Sequence, residues 1–217
     1  MDILDRLRVR ASVTINAEAC LRYPQIVEEA KKRSWEFLGH GRTNSELLRG
    51  LPQEEERGLI KQCIDAITAT TGQAPRGWLG PALAESDFTP DLLAEAGITY
   101  VCDWCNDDQP YWMRTTSGRL MSVPYSIEIN DIPAVLGLGK SSEEFCKMVR
   151  DQFDVLHAEG QRAARVMAVA LHPFIMGQPF RSLHLENVLQ YIVAQEGVWM
   201  TTGGEIADWF AGASGSI

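Results

Sequence analysis

A chain of 217 residues, 45% hydrophobic and 23% charged, is long enough to bury one sizeable core, so a single domain over residues 1–217 is expected. Its net charge of −9 argues against the basic face that non-specific nucleic-acid or anionic-membrane binding requires. No run of eighteen apolar residues is present. The opening "MDILDRLRVRASV" lacks the apolar core of an export signal, so the five cysteines read as reduced thiols of a cytoplasmic protein.

Strand-like and helix-like segments alternate along the chain. "MDILDRL" reads as the tail of a helix, and "VRASVTI" (9–15) as a first strand that would normally pair with one preceding it. "PQIVEEAKKR" starts a helix with Pro24 at its first position. "WEFLGH" is the second strand, and the residues beyond Gly41 look like the start of a new helix. "LPQEEERGLIKQCIDAITATTG" places three glutamates in a first turn, an apolar stripe of Ile60, Cys63, Ile64 and Ile67, and Gly72 as the stop.

"RGWLG" is the third strand, followed by a helix capped at Thr89 and closed by Gly97. "ITYVCDW" and "RLMSVPYS" are the fourth and fifth strands. The stretch 126–140 is irregular and reads as a loop that covers the site. Ser141 and Glu144 form a capping box for a helix bearing Phe145, Met148, Val149, Phe153 and Leu156. "RVMAVALH" reads as a sixth strand buried on both faces. A helix around "LENVLQYIVAQ", a last strand "GVWMTT" and a helix "GGEIADWF" follow. Seven strands alternating with helices imply parallel βαβ units, hence an α/β fold with a doubly wound sheet or a barrel.

Polar residues collect just after the strands, where a parallel barrel gathers its active site: Asn16, His40, Asp103 to Asp108, and His172. His172 ends an apolar strand before Pro173, and an imidazole there can move protons near neutral pH. The loop "NDDQPYW" offers Asn106, Asp107 and Asp108 to orient a histidine, act as a base or bind N–H groups, although a solvated acidic turn would look the same. Gly39-His40-Gly41 allows close approach to a ligand, or is only a tight turn. The "CDWC" of Cys102 and Cys105 lacks the second pair that zinc needs and reads as packing. His157 and His184 read as surface residues.

In order, "GHG", "GWLGP", "CDWCNDDQPYW", "VPYSIEIND" and "ALHPFIMGQPFR" resemble the polysaccharide deacetylase superfamily and its NodB homology domain, most closely the metal-independent, allantoinase-like branch. The resemblance covers nearly the whole chain. It implies a distorted, TIM-like (β/α) barrel whose first strand is missing here, so that the domain is N-terminally truncated. It implies hydrolysis of non-peptide C–N bonds. Metal-dependent members use an aspartate after the first strand and an H-x-x-x-H pair. His40 matches the first histidine of that pair, but Asn44 replaces the second. His172 matches the general acid, Asn106-Asp107-Asp108 the allantoinase-like loop, and "GQPFR" the G-x-P-x-R pattern. Ala82 stands where that branch carries arginine, which argues against allantoin itself.

An Asn carbonyl is a poor substitute for imidazole on zinc, so no cofactor is expected beyond a weakly bound divalent ion at His40. Water would be activated by Asp107 or Asp108, with His172 as proton donor. His40, Asn44, Asn106 and Asn16 would hold the substrate, with Trp78 as an apolar wall. The expected partner is a small amide or ureide, with neither nucleic acid nor membrane, and the open edge suggests a homo-oligomer. The alternative is a non-catalytic binding or structural relative that has lost its metal site.

Overall fold

The computed structural model describes residues 1–213. In chain order its elements are α1 (Asp2–Leu7), β1 (Ser12–Ile15), α2 (Ala17–Arg22), α3 (Pro24–Lys32), β2 (Glu36–Gly39), α4 (Gln53–Thr71), β3 (Gly77–Trp78) and a 3-10 turn, Pro81–Leu83. There follow α5 (Thr89–Glu95), β4 (Tyr100–Val101), β5 (Tyr111–Thr115), β6 (Gly118–Ser122), a π-helical turn (Ile132–Gly137), α6 (Ser142–Gly160), α7 (Pro179–Val193) and α8 (Gly203–Ala213). The fold is α/β, as the alternation predicts. It falls into two compact units: a sheet unit of residues 10–104, 110–123 and 201–213, and a helical unit of residues 1–9, 105–109 and 124–200.

In the sheet unit the strand order is β1-β2-β3-β4-β6-β5, parallel as far as β6, with β5 antiparallel to it. Among the described residues, hydrogen bonds do not close the sheet. Ile60, Cys63 and Ile67 of α4 bury against Ile15, Trp78, Leu93, Val101 and Leu120, each large aliphatic contributing about 1.5–3 kcal/mol. Gly72 ends α4 in the left-handed region at φ 84°. At the N-terminal ends of the strands, Tyr100 Oη donates to Glu36 Oε1 (2.7 Å), and Glu36 Oε2 accepts from Gly204 N (2.9 Å). Ser12 Oγ accepts from Gly203 N at 3.0 Å. A carboxylate from β2 thus caps the start of α8 and suits the positive end of its dipole. A Cβ at Gly203 would lie 2.8 Å from Tyr100 Oη, and one at Gly204 would strike the Glu36 carboxylate.

In the helical unit the capping box at α6 is present: Ser141 Oγ accepts from Glu144 N, and Glu144 Oε2 accepts from Ser141 N at 2.8 Å. Phe145, Val149 and Phe153 of α6 pack on Ile175, Met176, and Leu185, Val188, Leu189 and Ile192 of α7, with Ile3, Leu4 and Leu7 of α1 against them.

Several expectations need correction. Residues 42–48 form turns, not a helix. Residues 165–172 and 197–202 form no strand, and 165–172 are half-buried rather than buried on both faces. A strand needs a neighbour along its length, and Ala170 makes only an isolated bridge to Asn130. Helix α2 and strand β5 were not expected. Residues Tyr111–Thr115, partly read as the acidic loop, form a hairpin with β6, so one pairing is antiparallel. The 126–140 stretch contains a π-helical turn.

Candidate functional site

In the sheet unit the parallel register aligns Ile15, Gly39, Trp78 and Val101 on one rung. The next residues are Asn16, His40, Leu79 and Cys102, stitched by Leu79 N to Gly39 O (3.0 Å) and Cys102 N to Trp78 O (2.9 Å). Asn16 Nδ2 donates to the His40 carbonyl, which fixes the turn after β2. His40 is half-buried, and its Nδ1 bonds the Leu79 carbonyl. A carbonyl only accepts, so Nδ1 carries a proton, and in the neutral form of the ring Nε2 is the acceptor nitrogen. Trp78 is wholly buried in the core, its ring against Gly39, where a Cβ would collide with it. Asn44 lies exposed on a turn.

One residue further along the strand ends, Gly80 N donates to Asp103 Oδ1 at 2.7 Å. Asp103 is buried and its carboxyl group meets that of Glu85, whose Oε2 accepts from Trp104 Nε1 at 3.1 Å. Burial pushes the Asp103 carboxyl well above the usual range, with the neighbouring Glu85 charge adding to it. Burial likewise raises Glu85, with a smaller contribution from Glu56.

In the helical unit His172 meets a residue that sequence reasoning missed. Its Nδ1 lies 2.6 Å from Asp131 Oδ1, and its backbone N–H donates to Asp131 Oδ2 at 2.8 Å. Asp131 is completely buried, whereas the His172 side chain is 30% exposed. Local backbone registers the pair: Ala170 N donates to Ile129 O (2.9 Å) and Asp131 N to Ala170 O (3.1 Å). A carboxylate only accepts, so it holds the ring proton on Nδ1 and fixes the orientation of the ring. Phe174 packs edge-on to the ring at 5.8 Å.

The carboxylate that orients His172 is therefore Asp131, not one of the 107–108 pair. Asp107 is exposed and accepts from Gln109 N at 2.9 Å, an Asx turn. Asp108 is half-buried, its carbonyl accepts from Val166 N (2.9 Å), and it lines a small cavity with Tyr125, Ser126 and Gln152. Asn106 is exposed on the same loop. The signal for Asp131 was its setting, an acidic residue between Ile129 and Ile132 in a stretch read as a covering loop.

A catalytic zinc takes three protein ligands. Among the described residues no three His, Cys, Asp or Glu side chains are grouped to hold an ion. His40 brings one ring nitrogen, Nε2, and Asn44 lies exposed on a turn, so the described residues do not assemble the three-ligand set of such an ion. Cys63 and Cys146 are poor nucleophiles, since burial pushes the first thiol up to about 12 and the second up to about 11. Among the described residues no helix is long and apolar enough to cross a membrane.

Known proteins share this architecture. The polysaccharide deacetylase family model matches residues 1–101. A Schizosaccharomyces pombe protein named as a polysaccharide deacetylase is 32% identical over 75% of this chain, and the match spans 56% of that protein, little more than half its length. The peptidoglycan deacetylase of Helicobacter pylori is 27% identical over 81% of this chain and 70% of its own length. The crystal structure of Puue allantoinase superposes with a TM-score of 0.89 at 28% identity, covering 96% of this chain and 70% of that one. With the motif order, these matches carry one conclusion: the chain belongs to the polysaccharide deacetylase superfamily and has its α/β fold of the (β/α)-barrel type.

Proposed function

We propose that this chain hydrolyses a non-peptide C–N bond in a small amide or ureide. The observation that carries the reading is the His172–Asp131 pair: a part-exposed imidazole whose Nδ1 is held by a buried carboxylate. Amide hydrolysis needs a proton removed from water as it attacks the carbonyl, and a proton delivered to the nitrogen as the C–N bond breaks. His172 Nε2 delivers the second. Asp107 or Asp108 takes the first. His40, protonated on Nδ1, is an acceptor and so suits an N–H group of the substrate rather than its carbonyl oxygen. Asn16 keeps the His40 turn in place. Asn44 and Asn106, both exposed, complete the binding set in this reading, while Trp78, expected as an apolar wall, is wholly buried and only backs Gly39 beneath it.

The finer features of the reading are a cytoplasmic location, no required metal, and self-association along β1, which pairs only with β2 at one end of the sheet. Light scattering that gives a monomer mass would remove the last of these.

The test is a panel of N-acetylated compounds, cyclic amides and ureides, run on purified protein with and without added zinc. Product release that His172→Ala abolishes is expected, and the absence of any such turnover across the panel would sink the reading. Thermal stabilisation by a ligand without turnover would favour the non-catalytic alternative.

A further inference from the structure

The buried acids of the sheet unit are used by neither histidine directly, yet their arrangement is specific. Trp78 Nε1, Glu85 Oε1 and Asp103 Oδ2 are buried with no hydrogen-bond donor or acceptor answering them. Two of these atoms belong to carboxyl groups in hydrogen-bonding reach of each other. Oxygen facing oxygen is satisfied only if a proton lies between them. The other two carboxyl oxygens already have donors, Gly80 N on Asp103 Oδ1 and Trp104 Nε1 on Glu85 Oε2. The fully buried Trp78 indole borders the same gap. A Cβ at Gly80 would lie 3.1 Å from Asp103 Oδ2 and 3.4 Å from Trp78 Nε1.

The geometry points to a carboxylic acid–carboxylate pair, Glu85 and Asp103 sharing one proton, that acts as the strut positioning the His40 ring. Asp103 grips Gly80 N–H, and the carbonyl of the preceding residue, Leu79, holds His40 Nδ1. Lose the grip on Gly80 and the Leu79 carbonyl is released to turn, and with it the tautomer of His40. Asp103 and Glu85 are thus positioning residues. That His40 meets substrate rests on the function proposed above, but the shared proton and the tautomer do not.

The pair also has a pH signature with a definite sign. Both carboxyls are raised in the folded state, so the folded chain holds a proton that the unfolded chain releases. Stability should therefore fall as pH rises from the ordinary carboxylate range through the folded value of the pair. The groups facing it are the Glu56 carboxyl on α4, the Trp78 and Trp104 indoles and Gly80 N–H, which supply no positive charge to reverse that sign.

The experiment uses the purified chain without substrate. Infrared difference spectra at neutral pH should show a protonated carboxyl band that Glu85→Gln and Asp103→Asn each remove. Nitrogen NMR of the histidines should show His40 protonated on Nδ1. Asp103→Asn should keep that tautomer, because its amide oxygen still accepts from Gly80 and its NH2 donates to Glu85, whereas Asp103→Ala should lose the preference. Glu85→Gln should flatten the fall in stability with rising pH. A band that persists in both conservative variants, or a folded Asp103→Ala with an unchanged His40 tautomer, overturns the proposal. If Asp103→Ala fails to fold, the band and the pH slope of Glu85→Gln decide it. A missing turnover would overturn the hydrolase reading while leaving every one of these signals intact.

Discussion

Each unit fastens a histidine by the same nitrogen, Nδ1, but to a different kind of oxygen. In the sheet unit His40 is held by the Leu79 carbonyl; in the helical unit His172 is held by the buried Asp131 carboxylate. A carbonyl is a dipole that fixes the tautomer but adds little to the stability of a charged ring. A carboxylate brings a whole charge to the ring, and at His172 it comes from a completely buried side chain. In the function proposed above, the first ring serves as an acceptor and the second as a proton donor. The supporting backbone differs as well: successive rungs of a parallel sheet in the first case, a single bridge between Asn130 and Ala170 in the second.

The sharpest way to break this contrast is Asp131→Asn. The amide preserves size but removes the charge, so the hydrolysis proposed to depend on His172 should drop by about 10²-fold or more while the fold persists. Steady-state kinetics with circular dichroism on the same samples would check it, and wild-type rates would deny the pair its role. Next in size is Gly39→Ala. The added methyl meets the Trp78 ring at the rung below His40 and should cost about 2–3 kcal/mol in urea unfolding.

Smaller still is Ser141→Ala, which removes the cap of α6 in the helical unit and should cost about 1 kcal/mol, with Ser141→Asp restoring most of it. At the bottom stand Lys61→Ala on α4 and Lys147→Ala on α6. Each breaks an exposed i,i+4 pair, with Asp65 and Asp151 respectively, and each should change stability by about 0.5 kcal/mol or less. A larger loss in one unit than in the other would show that surface charge, not the anchoring of the rings, separates the two.

The legible parts of this molecule were those where local chemistry and tertiary packing agree. The Ser141–Glu144 box, the α4 stripe with its Gly72 stop and the strand ends before Asn16 and His40 all carry their signal within a few residues. The run at 165–172 misled because apolar residues report a preference for burial, not the presence of a neighbouring strand to pair with. Strand β5 was hidden by the polar, Pro-containing segment before it, although Gly118 at φ 127° is the turn residue of its hairpin. The least legible feature was Asp131. Its setting between Ile129 and Ile132 hints at burial, but its partner is an imidazole 41 positions away, which no local pattern identifies.

The capping of α8 bears on how the chain is made. Glu36 finds the N–H of Gly204 across 168 positions of sequence, and Ser12 finds Gly203 across 191. Contacts so distant form late, since loop closure must be completed before they reward it. On the ribosome, β1 and β2 must therefore wait, with the Glu36 carboxylate still in water, until the segment from Gly203 has emerged. Chains stalled before that point would expose an unsealed sheet end, and would be the species most in need of a chaperone.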